Sequence, residues 1–310
     1  MQIRNVCVLG GTGFVGRHVV RRLAERGIQV RVPTRRRERS KELLVLPTAD
    51  VVEGHVHDPA QLAEMLRGMD AVINLVGILH ESRSASFQEV HAELPKKVAE
   101  ACVAQGIRRL VHMSALRAAP DAPSAYLRSK GRGEAAVKQA DGLSTVFRPS
   151  VIFGPGDRFL NTFSALQRRL PVMLLACPQA RFQPVFVEDV ARSMVDCLEN
   201  PATFGQAYEL CGPRVYTLRE LVAFAGRMGG HPRPIIGLND RLSRLQARCL
   251  EWLPIKLLTR DNLLSMQVDS VCSCAFPFPF APTPLEAAAG YLRNAGPPTG
   301  YSRYRPRAGR

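Results

Sequence analysis

The chain is poor in acid, in lysine and in tryptophan. Among 310 residues, 27 Asp and Glu face 42 Lys and Arg, a net charge of +15, and 36 of those cations are Arg. Such an excess raises nucleic acid or an anionic membrane surface as a partner. The arginines are scattered along the whole chain, however, with no recognition module and no aromatic-interleaved basic strip, so nucleic acid is not expected. No run approaches the ~18–20 uncharged apolar residues of a membrane-crossing helix. The eight cysteines have no regular spacing, and no Cys/His set has zinc spacing, so no metal site is expected. Cys272 and Cys274 form the only close pair and are expected to be reduced thiols of a cytosolic protein. Internal repeats are absent. What remains, 46% apolar and 22% charged residues, is an ordinary globular composition with length enough for a real core.

The first half alternates short β-branched runs with helical patterns. Met1 to Leu9 reads as a strand (from Ile3) rather than a cleavable signal. A helix follows Gly13, with Val15, Val19 and Leu23 on one face and Arg17, Arg21 and Arg22 turned outward. Further strands are predicted at Gln29–Val32, Val51–Val52, Ala71–Val76, Arg109–Met113 and Ser144–Phe147. Helices are predicted after Asp58-Pro59, over Phe87–Gln105 and over Ala125–Gln139. This βαβα rhythm implies an α/β fold with a doubly wound parallel sheet, whose strand C-termini share one ligand-binding rim. After Arg148-Pro149 the rhythm breaks into helical pieces and isolated strands, a smaller mixed lobe. Thr217–Glu220 and Thr283–Glu286 both read as capping boxes. Residues 1–150 are thus one domain and 151–293 a smaller substrate or partner lobe partly integrated with it. Residues 294–310 are expected to be a disordered basic tail.

The chemistry begins at Gly10-Gly11-Thr12-Gly13-Phe14-Val15-Gly16, between the first strand and the first helix. Gly10 permits the tight turn, Gly13 the close approach of backbone N–H groups to a pyrophosphate, and Gly16 close packing of helix on sheet. The helix N-terminus adds unpaired donors and partial positive charge. A carboxylate about 20 residues beyond the glycines holds the ribose hydroxyls of NAD. Here that place reads Thr34-Arg35-Arg36-Arg37, without an acid before Glu38. Guanidiniums suit a 2′-phosphate, so NADP(H) is expected, with Arg35 first and Arg36 next; the plain alternative is a solvated arginine loop.

Tyr126 and Lys130 stand one helical turn apart on one face. A nearby ammonium is expected to lower the phenol's pKa and make Tyr126 a usable acid or base. Ser114 ends the fifth strand at the rim, placed to hold a substrate carbonyl. Asn74 lies in the fourth strand and Gly77 just after it, where a nicotinamide would pass, the plain alternative being a strand-end turn. Val56, between His55 and His57, is a candidate for an adenine face or a plain loop contact, and His91 reads as a satisfied, half-buried histidine. Arg158 and Asn161 are guesses for substrate contacts.

Together these residues resemble the short-chain dehydrogenase/reductase superfamily in its extended and atypical branches, which share the glycine-rich turn and the Tyr-xxx-Lys pair preceded by Ser. More narrowly, the chain is similar to the branch holding the nucleotide-binding accessory subunit of respiratory complex I and its bacterial relatives. The matching stretches are Val8–Gly16, Asn74–Leu79, His91–Lys96, Tyr126–Lys130, Arg148–Gly156, Gln183–Val190 and Leu253–Asn262. The resemblance implies a Rossmann domain, a small C-terminal lobe over the cofactor, and NADP(H). Relatives usually carry Asp where this chain has His55. Two functions follow. One is an oxidoreductase or epimerase-type enzyme on an unidentified carbonyl or alcohol, with Ser114, Tyr126 and Lys130 as the catalytic set and Lys130 also on the nicotinamide ribose. The other is a structural NADPH-binding protein of a respiratory or quinone-related assembly. For the second, Leu242, Leu245 and Leu250 near Trp252, ringed by Arg241, Arg244 and Arg248, suit a membrane surface or partner groove; the plain alternative is a helix packed on the core. The implied location is the cytoplasm, or peripherally the inner face of the cytoplasmic membrane.

Overall fold

The computed structural model describes residues 2–141, 144–252 and 257–294. The strand β1 (Asn5–Leu9) shows why the sheet is central. Its side chains alternate: Val6 and Val8 enter the core on one face, Cys7 and Leu9 the core on the other. The following elements are α1 (Phe14–Glu25), β2 (Gln29–Thr34), β3 (Ala49–Glu53), α2 (Pro59–Leu66), β4 (Ala71–Asn74), α3 (Leu94–Ala104), β5 (Arg109–Met113), α4 (Ala125–Asp141) and β6 (Thr145–Pro149). All six strands pair in parallel in the order β3-β2-β1-β4-β5-β6. The order reverses between β1 and β4, and this is the crevice where doubly wound sheets bind ligands.

The helices read as expected where local signals agree. In α1, Val19, Val20 and Leu23 are fully buried, each contributing on the order of 1.5–3 kcal/mol. Asp58 caps α2 by accepting the amides of Ala60 at 2.9 Å and Gln61 at 3.2 Å, with Pro59 at the first position. On the opposite face of the sheet from α1, the second core gathers Leu62 and Leu66 of α2, Leu94 and Val98 of α3 and Val137 of α4.

The second half contains β7 (Ile152–Phe153), α5 (Leu160–Arg169), β8 (Met173–Leu175), β9 (Arg181–Phe182), β10 (Val185–Phe186), α6 (Val187–Asp196), β11 (Ala207–Leu210), β12 (Tyr216–Thr217), α7 (Leu218–Met228), β13 (Ile235–Gly237), α8 (Asp240–Leu250), α9 (Arg260–Ser265) and α10 (Leu285–Ala288). Three small two-stranded pairs, β7 with β10, β8 with β13 and β9 with β12, tie these pieces together. Two elements return to the main sheet. Strand β11 adds to β6 as a seventh parallel strand, and α6 lies beside α1, where His18 Nδ1 meets Glu188 Oε1 at 2.6 Å.

Four expectations are corrected. The helix expected over Phe87–Gln105 opens with a wide π turn, Gln88–Glu93, before α3. That turn carries the His91 carbonyl against α4 at Gly133, where a Cβ would stand only 1.8 Å from the oxygen. Thr217 and Glu220 do form a capping box, but Thr283 and Glu286 do not. The Thr283 amide and hydroxyl instead donate to Asp189 at 2.6 and 3.1 Å, and Glu286 accepts the Tyr216 hydroxyl at 2.8 Å. Cys272 is not a reduced thiol: it is joined to Cys211, 61 positions earlier, while Cys274 stays free. Gln183 brings the two together, accepting the Cys272 amide and donating to the Gly212 carbonyl. Finally, the predicted shared leucine face of α8 divides: the helix packs inward through Ser243 and Ala247, Leu242 and Leu245 turn outward, and Leu250 is half-buried.

Of the basic tail expected over 294–310, Asn294 ends a 3-10 turn and residues 295–310 lie outside the described residues. Among the described residues no helix is long and apolar enough to cross a membrane, and no group of His, Cys, Asp and Glu is placed to hold a metal.

Candidate active site

The turn between β1 and α1 is built for close approach. Gly10 has φ +78°, in the left-handed region, and a Cβ there would press on Leu75 and Val76 at 3.0 Å. At Gly16 a Cβ would stand 2.3 Å from the Gly10 carbonyl oxygen, so only glycine lets α1 begin so near the turn. Gly13 takes the N-cap position without a side-chain cap, and the first turn of α1 carries no acid. Its leading amides are therefore offered to an anion. Thr12 and Phe14 are half-buried along this edge, and Val15 is buried beneath. A Cβ at Gly156 would touch the Phe14 ring at 3.9 Å, so the loop after β7 reaches over the same edge.

Beyond the end of β2, Arg35 and Arg36 are exposed, and the Arg36 amide donates to Thr34 Oγ1 at 3.4 Å. Glu53, an exposed acid, lies at the end of β3 opposite Thr34. Val56 is half-buried on the core under α2 and α3. Asn74 is buried at the end of β4; its Oδ1 accepts the Val76 amide at 3.2 Å, and its Nδ2 has no partner.

The other side of the crevice comes from β5 and α4. Ser114 follows β5, is 3% exposed, and its amide donates to the Phe147 carbonyl, while its hydroxyl has no partner. Helix α4 begins under two caps. Ser124 Oγ accepts the Leu127 amide, and the Asp261 carboxylate accepts those of Ala125 at 2.7 Å and Tyr126 at 3.1 Å. The Tyr126 ring is held edge-on against His91 and Phe87, with centroids 5.4 and 5.8 Å away. One turn later, buried Lys130 donates from Nζ to the Met113 carbonyl at 3.1 Å. A Cβ at Gly77 would lie 3.2 Å from that Nζ, so the loop after β4 passes directly over the lysine.

Electrostatics correct one expectation. Burial pushes the Tyr126 phenol up to about 12 and draws Lys130 down to about 8. Desolvation outweighs the neighbouring ammonium, and the phenol is a poorer acid than the spacing alone suggests. His91 is fully buried rather than half-buried, and burial, with Lys130 and His112 adding to it, lowers it to about 2. Sequence reading did not single out Ser129, His112 or Asp261. His112 is the one signal that was visible, a histidine in the apolar strand Arg109–Met113; both its ring nitrogens are buried without partners. Asn161 is not free for a substrate, because its side chain donates to the Asp157 carbonyl at 3.0 Å; Arg158 is exposed.

Comparison with known proteins agrees with this construction. The family described as "NAD dependent epimerase/dehydratase family" matches residues 6–211. NADH dehydrogenase [ubiquinone] 1 alpha subcomplex subunit 9, mitochondrial, of Dictyostelium discoideum is 33% identical over 69% of this chain and 61% of its own length. The mouse protein of that name is also 33% identical, over 59% of its length, so this chain spans about three fifths of these mitochondrial relatives. Ceramide reductase of Caulobacter vibrioides is 33% identical over 76% of this chain and 74% of its own. Among solved structures, Pal from Bacillus thuringiensis superposes with TM-score 0.72 at 15% identity, covering 94% of this chain and 98% of that one. Bordetella bronchiseptica WbmF in complex with NAD+ gives 0.64 at 23% identity, over 76% of this chain and 81% of its own. These likenesses show the doubly wound Rossmann fold. The chain belongs to the NAD dependent epimerase/dehydratase family, a nicotinamide-dinucleotide-binding family.

Proposed function

We propose that the protein binds NADP(H) and acts as an oxidoreductase or epimerase-type enzyme on a carbonyl or alcohol substrate. The reading rests on a buried, unpartnered Ser114 hydroxyl next to Met113, whose carbonyl takes the Lys130 ammonium, with Tyr126 one helical turn before that lysine. The residues fit the nucleotide: the start of α1 is uncapped and offers its amides, and glycine at 16 lets the helix begin tight against the Gly10 turn, where a Cβ would clash. Gly10, Thr12, Gly13, Phe14, Val15 and Gly16 hold it there, and Arg35 and Arg36 take the 2′-phosphate. Val56 lies on the adenine, Asn74 and Gly77 border the nicotinamide, and Lys130 holds its ribose. When bound, the cofactor supplies or accepts the hydride. Ser114 orients the substrate oxygen, Tyr126 gives or takes its proton, and Lys130 holds positive charge beside the phenol. Residues 1–150 serve the cofactor and 151–293 the substrate or partner.

The test is Tyr126→Phe on purified protein, followed by NADPH absorbance with simple carbonyls, quinones and sugar nucleotides. Turnover falls about 10²-fold or more while nucleotide affinity is kept; equal turnover in both proteins contradicts the assignment.

A second reading has its own observation. Leu242 (48%), Leu245 (58%) and Trp252 (88%) are exposed, with Arg241, Arg244 and Arg248 exposed around them. An apolar ridge edged by arginines suits an anionic membrane surface, as befits a structural NADPH-binding protein of a respiratory complex I or quinone-related assembly. Several relatives carry NADH dehydrogenase [ubiquinone] subunit names. Co-sedimentation with anionic vesicles, lost in Leu245→Glu, supports this reading; absence of binding removes it.

A further inference from the structure

Outside the nucleotide site the densest cluster of reactive side chains is sulfur. Cys211 follows β11, and Cys272 and Cys274 lie on the extended segment beyond α9. All three line one cavity of about 270 Å³, with Gln183, Glu209 and Phe276. Cys211 is buried and bridged to half-buried Cys272, whereas Cys274 is an exposed free thiol two residues on.

Two residues before the bridge the segment is pinned at Ser270, which pairs with Arg181 and Gln183 and takes the Ser150 hydroxyl at 2.8 Å; beyond Ser270 the bridge is its main anchor. The Cys272 amide donates to Gln183 Oε1 at 3.0 Å, and the Ser273 amide to Glu209 Oε2 at 3.1 Å. Just upstream, the Arg117 guanidinium donates to the carbonyls of Asp269 at 3.2 Å and Val271 at 2.8 Å. Arg117 has φ +63° and lies three residues beyond Ser114, on the loop leaving β5. Asp261, earlier on the same stretch of chain, caps the helix that carries Tyr126. The anchor therefore belongs to a stretch of chain that meets the β5 loop through Arg117 and α4 through Asp261, both on the β5–α4 side of the candidate active site.

We propose that Cys211, Cys272 and Cys274 form a thiol–disulfide exchange site, in which the bridge on Cys211 passes between Cys272 and Cys274. The Cys274 thiolate attacks Sγ of Cys211, a new sulfur–sulfur bond forms and the Cys211–Cys272 bond breaks. The electron pair leaves on the Cys272 sulfur, which takes up from solvent the proton that Cys274 gave to it. One disulfide and one thiol stand on each side, so neither oxidant nor reductant is consumed. The shared cavity gives the attacking sulfur its access. With Cys274 as anchor, the chain shifts by two residues against Gln183 and Glu209 and draws Asp269 and Val271 away from Arg117. The Cys272 linkage is favoured at rest because Gln183 holds that residue's amide.

The experiment uses the full chain in a glutathione redox buffer near pH 8, quenched with acid, alkylated and mapped as peptides without reduction. The expected result is a major Cys211–Cys272 peptide with alkylated Cys274, together with a minor Cys211–Cys274 peptide. In Cys272→Ser, Cys211 is expected to pair with Cys274, and amide exchange at residue 273 rises about tenfold. Wild-type protein that shows no Cys211–Cys274 linkage under exchange overturns the proposal, and so does Cys211 alkylated before any thiol is added. A folded Cys272→Ser with both remaining cysteines alkylated overturns it as well. If Cys272→Ser does not fold, the wild-type peptide map alone decides.

Discussion

The Nε2 atom of His91 accepts the amide of Ile78 at 3.0 Å, which leaves the ring proton on Nδ1. Nδ1 then donates to Ser129 Oγ at 3.0 Å, and Ser129 donates to the Tyr126 carbonyl at 2.7 Å. A neutral imidazole thus joins the loop after β4 to the helix that carries Tyr126 and Lys130. It positions both sides of the crevice without touching a reacting atom.

This neutrality has a cost at low pH. An unfolded histidine takes up a proton near 6.5, whereas burial holds His91 at about 2 and His112 at about 3 in the fold. Below pH 6.5 the unfolded chain therefore binds two more protons at these positions, and stability falls as pH falls. The loss approaches about 3 kcal/mol per pH unit for the pair. Denaturant titrations between about pH 7 and 5 measure it, and His112→Val halves the slope.

Gly16→Ala places a methyl 2.3 Å from the Gly10 carbonyl oxygen. The expected loss is roughly 1–3 kcal/mol of stability, with at least a tenfold loss of nucleotide affinity. Gly290→Ala, where nothing lies within 4 Å, is the control and stays within about 0.5 kcal/mol. Thermal melts with and without nucleotide separate the two effects.

Lys130 gives a different pH signature. Burial lowers it to about 8, so it is an ammonium below that pH and a neutral amine above. Affinity for the dinucleotide is expected to weaken as pH rises through about 8, as the charged donor to the ribose is lost. Lys130→Met binds more weakly and shows no such step. Fluorescence titration across this range reads both.

The central strands were legible because apolar runs buried on both faces leave little else for them to be. Strand β11 was not: Ala207–Leu210 carries Tyr and Glu, lies at a sheet edge, and pairs with β6, a strand distant from it in sequence. The Thr283 cap was misread because a competing acceptor, Asp189, lies 94 residues away in sequence. The Tyr126–Lys130 spacing put both on one helical face, yet the direction of the phenol's shift depends on burial by Phe87 and His91, which spacing does not encode. The Cys211–Cys272 bridge likewise depends on a long-range meeting at Gln183.

Calorimetry on nucleotide-stripped protein tests the central claim most directly. NADPH is expected to bind at least about tenfold more tightly than NADH, and Arg35→Ala to erase that preference, because the guanidinium meets only the 2′-phosphate. No heat with either coenzyme, or equal affinity for both in the wild-type protein, would contradict it.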